Sequence, residues 1–235
     1  MRIEVVDHVD GAARARGIAL VIDVFRAFTV APHAIAAGAT RVMPVGAIED
    51  ALALRARIPG VLLVGERHAR RLPGFDAGNS PTEILTLGVA GRPVAHTTHA
   101  GTQGLVSATG ADEVLAASLV NVTALARYVQ SRDPQQVTIV RMGHEARERC
   151  TEDDLCGEAI VGLLQGRPAP STEEVRERLR EAPAARKFFD PACDWAPRPD
   201  FDYCTEVDRF DFVLRLRTGG DGLRELERID VPERR

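Results

Sequence analysis

Two short segments of the sequence place a carboxylate close to an arginine where an apolar run ends. Asp23 closes one such run and Arg26 follows three residues later, whereas Glu66 and Arg67 close another run together. Carboxylate oxygens are ligands that suit Mg²⁺, and a guanidinium presents planar N–H donors that match phosphate oxygens. We therefore predict that these four residues are catalytic and that Asp23 and Glu66 also bind a metal ion. A salt bridge at the start of a helix is the structural alternative for the first pair.

Two loops carry groups that could bind an anion. In the loop 74–83, Asn79 and Ser80 can cap a helix that begins with a proline, which would expose backbone amides to an anion. The loop 96–102 places hydroxyl groups and a glycine at a turn from a strand to a helix. The predicted substrate-binding residues of these loops are Asn79, Ser80, Thr97, Thr98, Gly101 and Thr102. The alternatives are an elaborate helix cap for the first loop and a capping or packing role for His99 in the second.

Two further helix starts add candidate residues. Glu152, Asp153 and Asp154 open a predicted helix, with Thr151 as its predicted N-cap. Three acids at a helix N-terminus complement the helix dipole, so this role and metal binding are both open. Asn121 begins another predicted helix and could either cap it or point its amide at a substrate. We add the three acids to the predicted metal ligands and Asn121 to the predicted substrate-binding residues.

Most of these clusters follow a short apolar run, and the runs define the predicted fold. Predicted strands cover residues 18–24, 41–45, 61–64, 93–97, 113–116 and 137–141, and predicted helices cover 47–57, 121–130 and 152–164. This alternation is typical of α/β domains, and continuous apolar runs indicate strands that are buried on both faces. We predict a three-layer α/β/α sandwich with a mostly parallel or mixed central sheet. Open α/β sheets bind ligands at the carboxyl ends of their strands, so the clusters are expected to share one site.

The C-terminal third of the chain has a different pattern. Ser171 and Glu174 predict a capping box at the start of a charged helix that ends near Arg180. Residues 183–199 are rich in proline, aspartate and aromatic side chains, which predicts an ordered connection across the surface. We expect a final strand over 210–216 and a frayed end over 231–235, the whole chain 1–235 forming one domain.

Composition limits the classes of function. The chain has 235 residues, 45% of them hydrophobic, and a net charge of −4 from acidic and basic residues that are mixed along the sequence. That mixture lacks the basic stripe that nucleic-acid binding needs. No apolar run is long enough to span a membrane, and the N-terminus lacks the pattern of a secretory signal. We therefore expect a cytoplasmic protein with no nucleic-acid partner and no membrane partner.

Several common sites have no sequence support. The four cysteines form no CxxC pair and no zinc-ligand spacing, and a reducing cytosol would keep them as thiols. The patterns GxxxxGK[ST] and GxGxxG are absent, so neither a P-loop nor a dinucleotide-binding fingerprint is indicated. Oxygen ligands for a hard cation remain as the best-supported metal chemistry.

Taken in order, six sequence blocks resemble those of the 2-phosphosulfolactate phosphatase family. The blocks are VIDVFRAFTVA, GER, GFDAGNSPTE, TTHAGT, SLVNVTALA and EDDLCGEAI, and GFDAGNSPTE is the most specific. The stretches 201–204 and 207–211 are also similar to the closing region of that family, so the resemblance covers nearly the whole chain. It implies an α/β/α fold and Mg²⁺-dependent hydrolysis of (R)-2-phospho-3-sulfolactate to sulfolactate and phosphate, a step in coenzyme M biosynthesis.

One residue departs from the family pattern. Ala100 stands where the TTxNGT turn usually has an asparagine, which removes a side-chain amide and leaves Gly101 and Thr102 intact. The expected substrate is therefore phosphosulfolactate or another phosphorylated 2-hydroxy acid. We expect the protein to bind only such a small anionic phosphate ester, and whether it forms a homodimer is left open.

These residues suggest a mechanism and two competing functions. Mg²⁺ and arginines would neutralise a substrate that carries a phosphate, a carboxylate and a sulfonate. We expect Asp23, Glu66 and one or more of the acids at 152–154 to bind Mg²⁺, and Arg26 and Arg67 to clamp the substrate. Either water or a carboxylate could attack phosphorus. A Mg²⁺-dependent lyase acting on a small hydroxy acid and a noncatalytic anion-binding module are the alternatives.

Overall fold

The computed structural model describes residues 1–231 and contains a ten-stranded central sheet with helices on both faces. The strands are β1 (Arg2–Asp7), β2 (Ile18–Ile22), β3 (Arg41–Pro44), β4 (Leu62–Arg67), β5 (Arg70–Arg71), β6 (Pro93–Thr97), β7 (Glu113–Ala117), β8 (Gln136–Arg141), β9 (Phe212–Thr218) and β10 (Arg224–Asp230). The α-helices are α1 (His8–Arg14), α2 (Ala27–Ala36), α3 (Ile48–Arg57), α4 (Pro81–Thr86), α5 (Gly101–Ser107), α6 (Val122–Arg132), α7 (Thr151–Leu164), α8 (Thr172–Arg180) and α9 (Pro199–Thr205). Two 3₁₀ helices cover Leu119–Asn121 and Pro183–Phe188. The predicted layered α/β class is confirmed.

The apolar runs of the sequence are the central strands of this sheet. The six predicted central strands are present as β2, β3, β4, β6, β7 and β8, the predicted final strand over 210–216 is present as β9, and the predicted helices correspond to α3, α6 and α7. Every residue of β2 is buried, as expected for a strand that is covered on both faces. The predicted capping box of α8 is also present, because Ser171 Oγ accepts from the Glu174 N–H at 3.2 Å and the Glu174 carboxylate accepts from the Ser171 N–H at 2.7 Å.

Strands β1 and β10 were not predicted from the sequence, because neither has the continuous apolar run of the central strands. Strand β10 has the sequence RELERID, and its charged side chains pair across the hairpin with β9. Arg215 lies 2.7 Å from Glu227, and Arg217 lies 2.5 Å from Glu225. Cross-strand ion pairs therefore stabilise this strand where apolar alternation is weak. Strand β1 is an edge strand with no fully buried residue, which explains why its pattern was also missed.

The sheet consists of two parallel blocks joined by the β9–β10 hairpin. The strand order is β1-β8-β2-β7-β9-β10-β3-β6-β4-β5, in which β1, β8, β2 and β7 form the first block and β3, β6 and β4 the second. Because β7–β9, β9–β10 and β10–β3 are all antiparallel pairs, the two blocks have opposite polarity in the sheet. Neighbouring strands rotate by roughly 20–25° each on average, so the five steps from β2 to β6 accumulate on the order of 100–125°. This rotation offsets the reversed polarity and turns the carboxyl ends of both blocks toward one another.

Helices α2 and α5 lie on the side of the sheet that both blocks share. One apolar cluster contains Val21 from the first block, Val64 and Val94 from the second, Phe28 from α2 and Leu105 from α5. On the outer faces, α6 and α7 cover the first block and α3 covers the second. The two blocks therefore pack against common helices, which holds their strand ends close together.

The connection 183–199 and the chain end up to residue 231 have defined structure. Residues 183–199, predicted as an ordered surface connection, begin with the 3₁₀ helix Pro183–Phe188 and lead into α9. Val231 is buried and its N–H donates to Asp211 O at 2.9 Å, whereas residues 232–235 of the predicted frayed end lie outside the described residues. In the described part of the chain, no helix has the length and apolar character needed to cross a membrane.

Candidate active site

The loops after β2, β4, β6 and β8 meet in one cleft. The side chains and backbone that line it include Asp23, Phe25, Arg26, Glu66, Asn79, His99, Ala100, Glu145, Cys150, Glu152, Asp153 and Lys187. The first block contributes through β2, β8 and the N-terminus of α7, and the second through β4 and β6. Four acids that the sequence assigned to a metal site thus line one cleft: Asp23, Glu66, Glu152 and Asp153.

Asp23 is held at the end of β2 by two backbone amides. Its Oδ1 accepts from the Ala27 N–H at 3.2 Å, at the start of α2, and its Oδ2 accepts from the Gly101 N–H at 2.9 Å, at the start of α5. A Cβ atom at position 101 would lie 2.7 Å from Asp23 Oδ2 and 2.8 Å from Ala27 Cβ. Glycine is therefore required at position 101 for this close approach, and the turn joins the second block to the first.

Glu66 and Asp153 fix the neighbouring loops in the same way. Glu66 Oε1 accepts from the His99 N–H and Oε2 from the Ala69 N–H, both at 2.7 Å. Asp153 Oδ1 accepts from the Val24 N–H at 2.9 Å, and Oδ2 accepts from the Gly143 N–H at 2.8 Å. Since a carboxylate oxygen can accept more than one bond, these groups keep lone pairs for a ligand. Their first role in the fold is to hold the cleft loops together.

Glu152 differs from the other acids. Its side chain is buried, and its Oε2 has no hydrogen-bond partner among residues 1–231. A buried carboxylate oxygen without a donor is costly, and a bound cation would remove that cost. Together with the carboxylates of Asp23, Glu66 and Asp153 in the same cleft, this orphaned atom fits a hard divalent cation such as Mg²⁺.

Burial of several acids in one place shifts their ionisation. Desolvation by burial, together with the nearby Glu66 charge, raises the pKa of Asp23 to about 6, although the backbone N–H bonds from Ala27 and Gly101 act to lower it. Burial also raises the pKa of Asp153 well above its usual range, helped by Asp23 and Glu152, and it raises the pKa of Glu152. Without a metal ion, these carboxyl groups therefore resist losing all their protons. A bound divalent cation would favour their ionised forms.

This shift makes the stability of the metal-free protein depend on pH. Asp23 titrates near pH 3.8 when unfolded and at about 6 when folded, so between these values the folded state binds more protons. The free energy of unfolding should therefore fall as the pH rises through this window. We expect Mg²⁺ to raise the melting temperature more at about pH 7.5 than at about pH 5. Scanning calorimetry with and without Mg²⁺ measures this, and an equal Mg²⁺ shift at both pH values would contradict it.

Lys187 is a cleft residue that the sequence analysis missed. It is the only lysine in a chain with 30 basic residues, and it lies in the 3₁₀ helix Pro183–Phe188. Burial and the Arg26 charge lower the pKa of its ammonium, although the charges of Glu152 and Asp23 act to raise it. Among residues 1–231 it forms no ion pair shorter than 4.0 Å. The sequence did contain one signal for Lys187, because every other basic residue of the Lys and Arg set is an arginine.

The structure gives the two predicted clamping arginines other partners. Arg26 is buried at the cleft wall, where its Nη1 donates to Asp200 Oδ2 at 2.8 Å and to Trp195 O at 3.1 Å. Arg67 does not line the cleft, and its Nη2 donates to Gly46 O and to Thr97 Oγ1, both at 3.0 Å. The Arg26 charge is thus already neutralised by Asp200, and Arg67 links β4 to β6. Neither guanidinium is therefore free to form a bidentate contact with an anion.

The Arg26–Asp200 pair is central to the packing behind the cleft. Asp200 is fully buried, and its Oδ1 accepts from Ser80 Oγ and from the Thr82 N–H, both at 2.9 Å. We expect Asp200→Asn to lower the free energy of unfolding by about 3–5 kcal/mol, because it leaves the Arg26 charge buried without a counterion. Urea unfolding should show partial recovery in the double variant with Arg26→Gln. A loss under ~0.5 kcal/mol would mean that the pair is not needed.

The predicted anion-binding loops divide into cleft and support residues. Asn79 lines the cleft, with its Oδ1 3.1 Å from His96 Nε2. Ser80 caps α4 by accepting from the Glu83 N–H at 3.2 Å. Thr98 and Thr102 are buried and bond to each other, the Thr98 N–H donating to Thr102 Oγ1 at 2.8 Å. Asn79 and the Gly101 turn therefore border the cleft, whereas the three hydroxyl groups shape the loops behind it.

Two predicted residues lie outside the cleft. Asn121 is buried and its Nδ2 donates to Phe212 O at 3.2 Å, so it joins the start of α6 to β9 and does not form the expected side-chain cap. Asp154 forms ion pairs with Arg141 at 3.0 Å and Arg149 at 2.9 Å on the outer side of α7. Helical spacing explains the difference, because the residue that follows two cleft-facing acids points elsewhere. The N-cap of α7 is Cys150, one residue before the predicted Thr151.

Comparisons with known proteins agree with the sequence blocks. A family model described as 2-phosphosulpholactate phosphatase matches residues 4–219. A probable 2-phosphosulfolactate phosphatase of Carboxydothermus hydrogenoformans is 39% identical over 224 residues, which cover 91% of this chain and 92% of the relative. Proteins of the same name from Bacillus subtilis and Clostridium perfringens strain 13 are 29% and 30% identical, covering 91% and 93% of this chain and 92% and 95% of their own. The chain belongs to the 2-phosphosulpholactate phosphatase family, a family of phosphoric monoester hydrolases.

Proposed function

We propose that this protein is a Mg²⁺-dependent phosphatase that hydrolyses (R)-2-phospho-3-sulfolactate, or a closely related 2-phospho-hydroxy acid, to the hydroxy acid and phosphate. The observation that carries the proposal is the cluster of four acids in one cleft beside a single lysine. A site for a phosphate ester needs positive charge, and a cleft this acidic gains it by binding a divalent cation. The names of the relatives supply the substrate.

The cleft residues have different proposed roles. Asp23 and Glu152 are the best-placed ligands for Mg²⁺, Glu152 because one of its oxygens has no partner among the described residues. Glu66 and Asp153 hold the loops in place through backbone amides and can add oxygen ligands. When bound, Mg²⁺ would neutralise charge on the phosphoryl oxygens. Lys187 would then bind an anionic group of the substrate, a role that the sequence analysis gave to the arginines.

Binding of a small substrate is supported by the shape and the surroundings of the cleft. Asn79 and the backbone around Ala100 border it, and the side chain of Ala100 leaves more room than the asparagine of the usual family turn. This difference supports a substrate that is at least as bulky as phosphosulfolactate near that turn. We also propose a cytoplasmic location, and a place in coenzyme M biosynthesis that depends on the substrate being phosphosulfolactate.

Release of phosphate under metal control tests the proposal. Purified protein stripped with EDTA should not hydrolyse phosphosulfolactate, and added Mg²⁺ should restore the release of one phosphate for each sulfolactate formed. A lyase would consume a hydroxy acid without releasing phosphate, and an anion-binding module would bind without turnover. Activity that survives exhaustive chelation would refute the metal-dependent mechanism.

A further inference from the structure

A second cluster of side chains lies at the border of the cleft and differs in chemistry from the buried acids. His68, His99 and Glu145 each offer a ligand atom, and these atoms all lie within 4.8 Å of one another. His68 Nδ1 lies 2.6 Å from Glu145 Oε1, and the two imidazole rings are 4.9 Å apart between centroids. Two imidazoles and a carboxylate form a donor set that suits transition-metal ions, unlike the four carboxylates of Asp23, Glu66, Glu152 and Asp153.

The three residues come from three separate loops. His68 lies in the turn between β4 and β5, His99 in the loop between β6 and α5, and Glu145 in the loop between β8 and α7. The first two loops belong to the second block of the sheet and the third belongs to the first block. Because Glu66 Oε1 accepts from the His99 N–H at 2.7 Å, one of the three is anchored directly to the acidic cleft.

The backbone of two of these loops adopts conformations that non-glycine residues rarely take. His68 and Ala69 have φ values of 51° and 62°, and Glu145 and Ala146 have φ values of 51° and 55°. Such left-handed residues cost roughly 1–3 kcal/mol each and persist where the surrounding structure determines them. The fold therefore holds strained backbone on both sides of the contact between His68 and Glu145.

One ring nitrogen of the cluster has no partner. His99 Nδ1 is shielded from solvent, and no hydrogen-bond partner for it exists among residues 1–231. Buried polar atoms are nearly always paired, so an unpaired imidazole nitrogen beside another histidine and a carboxylate points to a ligand. A metal ion bound through Nδ1 would satisfy this nitrogen, and its bonds to His68 and Glu145 would replace the hydrogen bond between those two side chains.

We propose that His68, His99 and Glu145 bind a borderline divalent metal ion such as Zn²⁺, separately from the hard cation of the acidic cleft. Three protein ligands leave at least one coordination position for water or for an oxygen of a small anion. Because the ligands come from both blocks, the bound ion ties the β4–β5 turn to the loop after β8 at the cleft border. The proposal goes beyond the phosphatase activity and does not depend on it.

Binding of Co²⁺ alone, a visible stand-in for Zn²⁺, tests this site in the full-length protein. With Mg²⁺ in large excess to fill the oxygen site, wild-type protein should bind one Co²⁺ and develop the absorption bands of a nitrogen-ligated ion. His68→Ala and His99→Ala should each weaken Co²⁺ binding at least ~10-fold, and Zn²⁺ should displace Co²⁺ competitively. His144→Ala is the matched control, because His144 also lines the cleft on the same loop as Glu145 but is not one of the three residues whose ligand atoms converge.

The outcomes separate the site from other causes. Weakened binding in both cluster variants, with His144→Ala unchanged and all variants showing wild-type circular dichroism, supports the proposal. Equal Co²⁺ affinity and an unchanged spectrum in His68→Ala would overturn it. If His99→Ala proves unstable, Glu145→Gln removes the carboxylate ligand in its place, and unaltered Co²⁺ binding by that variant would also overturn the proposal.

Discussion

Asp23→Asn should lower kcat/KM for phosphosulfolactate by at least ~10²-fold while the protein stays folded, which is about 2.7 kcal/mol of lost transition-state stabilisation. Asparagine keeps the size of the side chain, but its single acceptor oxygen can keep only one of the two bonds from the Ala27 and Gly101 N–H groups. It removes the negative charge that would bind the metal ion.

Asp154→Asn is the control for that experiment. Asp154 comes from the same acidic stretch of sequence as Glu152 and Asp153, but its carboxylate pairs with Arg141 and Arg149 away from the cleft. Its replacement should leave turnover within about twofold of the wild type, because these partly buried ion pairs lie outside the cleft. Near-wild-type turnover of Asp23→Asn at saturating Mg²⁺ would show that Asp23 is not part of the catalytic site. A large loss of turnover in Asp154→Asn would show that Asp154 is a metal ligand after all.

Lys187→Ala should lower kcat/KM by about 10²-fold, since truncating one partner of a desolvated charge pair costs roughly 2–5 kcal/mol. The reason is that the Arg26 charge is neutralised by Asp200, which leaves Lys187 as the cleft cation with no ion pair among residues 1–231. Steady-state kinetics separates two roles. A rise in KM alone would mean that Lys187 binds the substrate in its ground state, whereas a fall in kcat would mean that it stabilises the charge of the transition state.

Arg186→Ala provides the matched control for Lys187. Arg186 is the adjacent residue of the same 3₁₀ helix, and its side chain is exposed and does not line the cleft. Its loss should leave both kinetic constants unchanged, so a general electrostatic effect can be distinguished from a local contact. Lys187→Arg should recover part of the loss, because the charge is kept while the shape differs. Wild-type constants for Lys187→Ala would show that the lysine takes no part in substrate binding.

The central strands and the acids at their ends could be predicted because both signals are local. The continuous apolar runs of β2, β4, β6 and β8 identify buried parallel strands, and Asp23 and Glu66 follow directly from their positions at the ends of such runs. Strand β10 could not be predicted in this way, because ion pairs with β9 replace apolar alternation. The opposite polarity of the two blocks depends on where that hairpin inserts, which is a long-range property.

Side-chain partners were harder to predict than positions. Arg26 was placed correctly at the cleft, but its counterion Asp200 lies 174 residues further along the chain, and no local pattern joins the two. The same reason explains why Lys187 was missed, since it comes from the connection after α8 and reaches the cleft only through tertiary packing. For Asp154, one residue of helical rotation decides between the cleft and the outer surface.

Anomalous diffraction from crystals grown with Mn²⁺ and inorganic phosphate tests the central claim most directly, because Mn²⁺ binds the same oxygen ligands as Mg²⁺ and can be located without ambiguity. The account predicts a Mn²⁺ peak bound to the carboxylates of Asp23 and Glu152, with phosphate held between that ion and Lys187. Phosphate bound outside this cleft, or a Mn²⁺ ion found at Asp154 with no ion beside Asp23 and Glu152, would contradict it.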